Sequence, residues 1–121
     1  MQLSYYERIG NEKLQNLISF FYDEIRQDEV LLPMYKGDLE AAERRLFMFI
    51  VQYLGGPQTY SERRGHPRLR MRHAEFKVDN EAAEHWLACM KKAMDKIEME
   101  EDIRRFLWSY FVQTAHFLEN Q

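Results

Sequence analysis

The sequence predicts an all-α fold, and three observations carry that prediction. Apolar residues recur at helical spacing through most of the chain. Cap residues stand where the periodic runs begin, and no stretch shows the two-residue alternation of a half-buried strand. Four main helices with short connecting ones, arranged as two antiparallel pairs packed across each other, would bury these faces economically.

The elements follow in order. Ser4 with Glu7 three residues later is a capping-box pattern opening a short helix that closes near Gly10. From Asn11, the positions Leu14, Leu17, Ile18, Phe21 and Ile25 place one face of a second helix in the core. Residues 28–35 (DEVLLPMY) are too apolar for a free loop, and Pro33 breaks them, so a tight helical corner packed on the core is expected. After a turn at 36–38, Asp38 is suited to cap a helix whose buried side is Leu39, Ala42, Leu46, Phe49, Ile50 and Tyr53. Gly55-Gly56-Pro57 stops it. A short polar loop is expected next, and His66-Pro67 restarts helical structure, with Pro67 suited to a first helical position. Asp79 caps a helix with Ala83, Trp86, Leu87, Met90, Met94 and Ile97 on one face. Residues 100–102 start the last helix, whose buried side runs through Ile103, Phe106, Leu107, Tyr110, Phe111, Thr114 and Leu118.

Composition bounds the function. A chain of 121 residues is expected to form a single domain over residues 1–121 with one core. No apolar run is long enough to span a bilayer, and the first ten residues lack the layout of a signal peptide. The lone Cys89 has no internal disulfide partner, which fits a reducing, cytoplasmic setting. A net charge of −3 argues against nucleic acid as the main partner.

Against that charge, one segment is strongly basic. Five arginines and two histidines fall between Arg63 and His73. The four histidines, His66, His73, His85 and His116, are too scattered for a zinc site. One neutral imidazole is, however, what a haem iron needs on one side, because the porphyrin supplies four donors. Arginine forks match the carboxylates of haem propionates; the alternative is that these arginines only solvate a loop. Tyr22, on the flank of a buried face, is either core with its hydroxyl at the rim or a hydroxyl aimed into a pocket. Tyr35 and Trp86 invite the same two readings.

The stretch QYLGGPQTYSERRGHPRLRMRHAEF, followed by HWLACMKKAMD, resembles the group II truncated haemoglobins, bacterial globins with a two-over-two helical sandwich. FFYDEI, DEVLLPMY, DLEAAERRLFMF and the closing helix match in order and spacing, so the resemblance covers nearly all of the chain. It implies haem b (iron protoporphyrin IX) enclosed by that sandwich. It also implies His73 as the proximal iron ligand, Trp86 and Tyr22 as distal donors, and Tyr35 at the helical corner against the haem face. Ala42 falls where a conventional globin carries its distal histidine, with Leu46 one turn further on. Arg45 and Tyr60 match positions that contact the propionates, while Phe21, Phe49, Leu54, Phe76 and Met90 are expected as apolar haem contacts. One departure is visible: Glu75 stands where the family commonly has proline after the proximal histidine.

The implied ligands are O2, CO, NO or peroxide. Reduced iron passes electron density to O2, so three N–H and O–H donors in a dry site would slow its release. That suits redox chemistry, of the peroxidase or NO-dioxygenase type with an external reductase, better than oxygen transport. A haem-based gas sensor and a haem-free helical interaction module are the alternatives. A monomer or weak homodimer is expected.

Overall fold

Several helices in this chain begin where a short polar side chain takes up the first free N–H groups. The computed structural model describes residues 2–35, 37–64 and 79–119. The Ser4 hydroxyl accepts from the Glu7 N–H at 3.1 Å, and the Ser4 N–H donates to the Glu7 carboxylate at 3.0 Å, opening α1 (Tyr5–Ile9). Gly10, at φ +89°, turns the chain directly into α2 (Asn11–Arg26). A single 3-10 turn at Leu32–Met34, with Pro33 inside it, forms the expected corner. Asp38 accepts from the Glu40 N–H at 2.9 Å and opens α3 (Leu39–Tyr53). Next come α4 (Thr59–Arg64), α5 (Asn80–Asp95) and α6 (Glu101–Phe117). Asp79 caps α5 through the Ala82 N–H at 2.9 Å. Caps of this kind are worth about 0.5–2 kcal/mol each.

The end of α3 shows why two glycines are needed. The Gly55 N–H bonds to Gln52 O at 3.1 Å and the Gly56 N–H to Val51 O at 2.9 Å, with Gly55 at φ +95°. This is the double closure that a left-handed residue permits. A Cβ on Gly56 would stand 2.8 Å from both Tyr6 and Val51 side-chain atoms, so α1 can cross there only over a bare backbone. The crossing is tied by the Tyr6 N–H to Leu54 O at 3.0 Å.

Helix α4 corrects the loop expected after Pro57. The Gln52 side chain accepts from the Ser61 N–H at 3.0 Å and donates to the Ser61 hydroxyl at 2.7 Å, anchoring the new turn to α3. Tyr60 is buried beneath it. Burial of one tyrosine and a side-chain clamp outweigh the polar composition of the segment.

The core is where the four long helices meet. On α2, Leu14, Leu17, Ile18, Phe21 and Ile25 are all buried, as the spacing predicts. They pack against Ile50 and Val51 of α3 and Met90, Ala93 and Met94 of α5; Ile103, Leu107 and Phe111 of α6 complete the cluster. Helix α2 touches both α3 and α5, and α5 touches α6. The result is the two-over-two helical sandwich, all-helical among the described residues. Truncating a fully buried ring such as Phe21 costs about 3–5 kcal/mol.

Two arginines tie ends together. Arg104 donates to the carbonyls of Met94 and Ile97 at 3.0 Å each, closing the end of α5. Arg8 bonds Asp102 at 2.8 Å and also Glu100, linking α1 to the start of α6. No helix among the described residues is long and apolar enough to cross a membrane.

Candidate functional site

The two helix pairs do not close completely on each other. Between α3 and α6 lies a cavity of about 620 Å³. Helix α3 gives it Ala42, Arg45, Leu46 and Phe49; α6 gives Tyr110, Phe111 and Thr114, with Leu118 just past its end. Small residues, Ala42, Ala82, Ala83 and Ala115, hold the walls apart where larger ones would fill the space. One side is polar: Tyr22 from α2, Tyr35 from the corner and Trp86 from α5 reach it together.

These three side chains form one cluster. The Tyr35 hydroxyl is polarised by the Trp86 indole and the Tyr22 hydroxyl, its two polar neighbours. The two tyrosine rings meet edge to face, with centroids 5.8 Å apart and an angle of 81°. The indole is held between Phe21 at 5.0 Å and Phe111 at 5.5 Å, so its plane is set by packing. Burial pushes the Tyr22 hydroxyl far above the usual phenol range, with the Arg45 charge acting in the opposite direction. Burial likewise raises the Tyr35 hydroxyl to about 12, although Trp86 and Tyr22 work against the rise. Both phenols are therefore neutral donors at any physiological pH.

Of the other residues singled out in the sequence, Ala42, Arg45, Leu46, Phe49 and Tyr60 also line the cavity. Tyr60 is buried and packs edge-on to Phe49 at 5.3 Å. Leu54 and Met90 are buried in the core and Phe21 backs Trp86, so these three stand behind the wall rather than on it. The reason is geometric: an apolar helix face spans more than one neighbour, and spacing alone cannot say which neighbour each residue meets. His73, Phe76 and the basic segment from Gly65 onward lie outside the described residues. Sequence reasoning placed Tyr110, Phe111 and Thr114 only in the core. Their recurrence on one face was visible, but nothing marked that face as a cavity wall.

The cavity fits a haem. Its volume falls in the range of about 300–1,000 Å³ common to cofactor pockets, which are mostly apolar with a few placed polar groups. Leu46, Phe49, Ile50, Phe111 and Leu118 suit a flat apolar macrocycle, and Arg45 suits a carboxylate at its edge.

A second polar contact, missed in the sequence, supports the cluster from outside. The His85 Nδ1 lies 2.9 Å and 3.1 Å from the two Asp28 carboxylate oxygens. Asp28 also accepts from the N–H groups of Val30 at 3.0 Å and Leu31 at 2.8 Å. It thus starts the corner that ends in Tyr35 and pins it to the helix residue beside Trp86. Burial opposes the Asp28 charge, but the bonds from His85, Leu31 and Val30 hold its carboxyl below the usual range. The His85 imidazole is raised above 6.5 by the same bond. Cys89, one turn along α5, is buried and its thiol is pushed up to about 12, which makes it unreactive.

The pair predicts a pH window. The raised His85 contributes stability below pH 6.5 that is lost as pH rises through its folded value; the lowered Asp28 contributes above 3.8 and loses it as pH falls. His85→Gln should therefore lower Tm most between pH 3.8 and 6.5 and progressively less above that range. Because the imidazole is over a third exposed, the loss should be only about 0.2–1 kcal/mol. Thermal melts across pH check this; an equal loss at every pH would contradict it.

Comparison with known proteins gives the same answer as the geometry. A family model for bacterial-like globins matches residues 4–120. The chain is 44% identical over 116 residues to the group 2 truncated haemoglobin YjbI of Bacillus subtilis, covering 96% of this chain and 88% of that protein. The X-ray structure of a truncated oxygen-avid haemoglobin from Bacillus subtilis superposes with a TM-score of 0.93 at 42% identity, over 98% of this chain and 100% of the other. Haemoglobin from Chloroflexus aurantiacus gives 0.96 at 36% identity, over 99% and 100%. The group II truncated haemoglobin of Bacillus anthracis gives 0.95 at 35% identity, over 100% and 94%. With the two-over-two fold, a haem-sized cavity and similarity along nearly its whole length, the chain belongs to the bacterial-like globins, as a group II truncated haemoglobin, a family that binds haem and diatomic ligands.

Proposed function

We propose that the cavity between α3 and α6 holds haem b, that His73 is its iron ligand, and that the Tyr22–Tyr35–Trp86 cluster makes its polar wall a retaining, charge-stabilising one. Bound haem supplies the iron that takes the diatomic ligand. The cluster is the observation that carries the rest. The Trp86 indole N–H and the Tyr22 and Tyr35 hydroxyls all reach one side of the cavity, with Tyr35 polarised by its two neighbours. Donors fixed in advance at a place where negative charge develops lower the cost of that charge without reorganisation. Ala42, Leu46 and Phe49 keep the neighbouring wall apolar, so little water competes there. Such a wall suits O2, NO or peroxide chemistry, with electrons delivered by a separate reductase, better than transport.

Reconstitution with haem b tests the reading. One equivalent should give a strong Soret band, and O2 should leave the reduced protein slowly. Fast O2 release with normal haem uptake would leave a haem protein without the proposed retaining wall.

Arg45 and Tyr60 are assigned to the propionate edge. Both line the cavity, and an Arg45→Ala, Tyr60→Phe double variant should pass haem faster to an acceptor globin while its reduced spectra stay nearly unchanged. Each contact is expected to matter modestly, since a partly solvated ion pair is worth about 0.2–1 kcal/mol. Unaltered transfer would move the propionates to other residues, Arg70 or Arg72 first.

A further inference from the structure

The cavity wall is joined to the surface by stacked tyrosines. Tyr110 lines the cavity beside Phe111 and Thr114. Its ring stacks on that of Tyr53 with centroids 3.9 Å apart and an angle of 30°. Tyr53 is 40% exposed, one of the few large hydrophobic side chains among the described residues so open to solvent. Phe49 at 6.3 Å and Phe106 at 5.7 Å stack against the same ring and fix it in place. Phenylalanine is not oxidised under conditions where phenols are, so the two tyrosines are the members of this stack able to carry an electron between cavity and solvent.

We propose that Tyr53 is a second, surface redox site, at which phenols too large for the cavity are oxidised by one electron through Tyr110. The proposal rests on the reading that the haem-loaded cavity reacts with peroxide. An oxidising equivalent in the cavity is filled by an electron from Tyr53 passing through the stacked Tyr110 ring. Exposed Tyr53 releases its phenolic proton to water and becomes a phenoxyl radical. A phenol in solution, ArOH, gives that radical a hydrogen atom, restoring Tyr53 and leaving ArO•. Two such turns supply the two electrons and two protons that convert one H2O2 to two waters: H2O2 + 2 ArOH → 2 H2O + 2 ArO•.

The test uses haem-loaded protein, hydrogen peroxide, a nitroso spin trap with peptide mass mapping, and a phenol tethered to dextran as the excluded donor. Wild type should carry the trap on Tyr53 and oxidise the tethered phenol. Tyr53→Phe, which keeps the stacked ring, should lose the adduct at that position and most of the tethered-phenol oxidation. Tyr53→Trp, which keeps a redox-active ring, should restore oxidation. Peroxide consumed with no trap on Tyr53, or tethered-phenol oxidation unaltered in Tyr53→Phe, would overturn the surface site and leave the cavity reading standing. Wild type that takes up haem but does not consume peroxide would overturn the surface site and the peroxide reading of the cavity together, leaving haem and O2 binding intact.

Discussion

Replacing Trp86 by phenylalanine is expected to speed O2 release by about tenfold to hundredfold, the rate equivalent of losing one hydrogen bond of roughly 1.5–3 kcal/mol to a charged acceptor. The substitution keeps the ring that packs between Phe21 and Phe111. It removes the indole N–H, a donor on the polar side of the cavity, and with it the polarisation of Tyr35. Tyr22→Phe should have a smaller effect, because packing between Phe21 and Phe111 fixes the indole N–H in place, whereas a phenol hydroxyl rotates freely about its C–O bond. Bound CO carries less charge, so its release should change much less in both variants. Stopped-flow displacement of each gas measures this. Equal acceleration of O2 and CO in Trp86→Phe would make the indole a steric gate instead.

The second large effect is expected at His73. His73→Gly should lose most of its haem during purification or retain it only with added imidazole, which would occupy the vacated ligand position. His66→Gly and His116→Gly should keep an intact Soret band. For His116 the structure supplies a different role: its Nδ1 lies 2.7 Å from a Glu119 carboxylate oxygen on the exposed end of α6. Full retention of haem with an unaltered spectrum in His73→Gly would remove the assignment.

Much of this architecture was legible because helices announce themselves locally. Ser4 and Glu7, Asp38, Asp79 and the Gly55-Gly56 pair each act on the nearest turn of backbone, so their meaning survives without knowledge of the fold. The buried stripe of α2 was equally plain. What failed to show were contacts between residues far apart in the chain. Helix α4 depends on Gln52 reaching Ser61 and on Tyr60 being buried; composition alone reads that stretch as loop. Asp28 and His85 are 57 residues apart, and nothing near either residue predicts the other.

The site divides along the same line. Tyr22, Tyr35 and Trp86 stood out because aromatic residues with polar ends are unusual on apolar faces, and the structure does bring them together. Their convergence was not accessible, since it depends on three elements meeting on one side of the cavity. Likewise Tyr110 and Phe111 are members of a regular apolar stripe, and only the gap between α3 and α6 turns them into a wall.

The central claim is that the Tyr22–Tyr35–Trp86 wall presents a hydrogen-bond donor to whatever occupies the cavity beside it. The infrared stretch of CO in the reduced, haem-loaded protein reads that field directly, because a donor near the oxygen lowers the frequency. Wild type should show a low-frequency band, raised substantially in Trp86→Phe, raised furthest in a Trp86→Phe, Tyr35→Phe double variant, and raised little in Tyr22→Phe. A band at the same frequency in wild type and the double variant would mean that no donor reaches the ligand, and the account would be wrong.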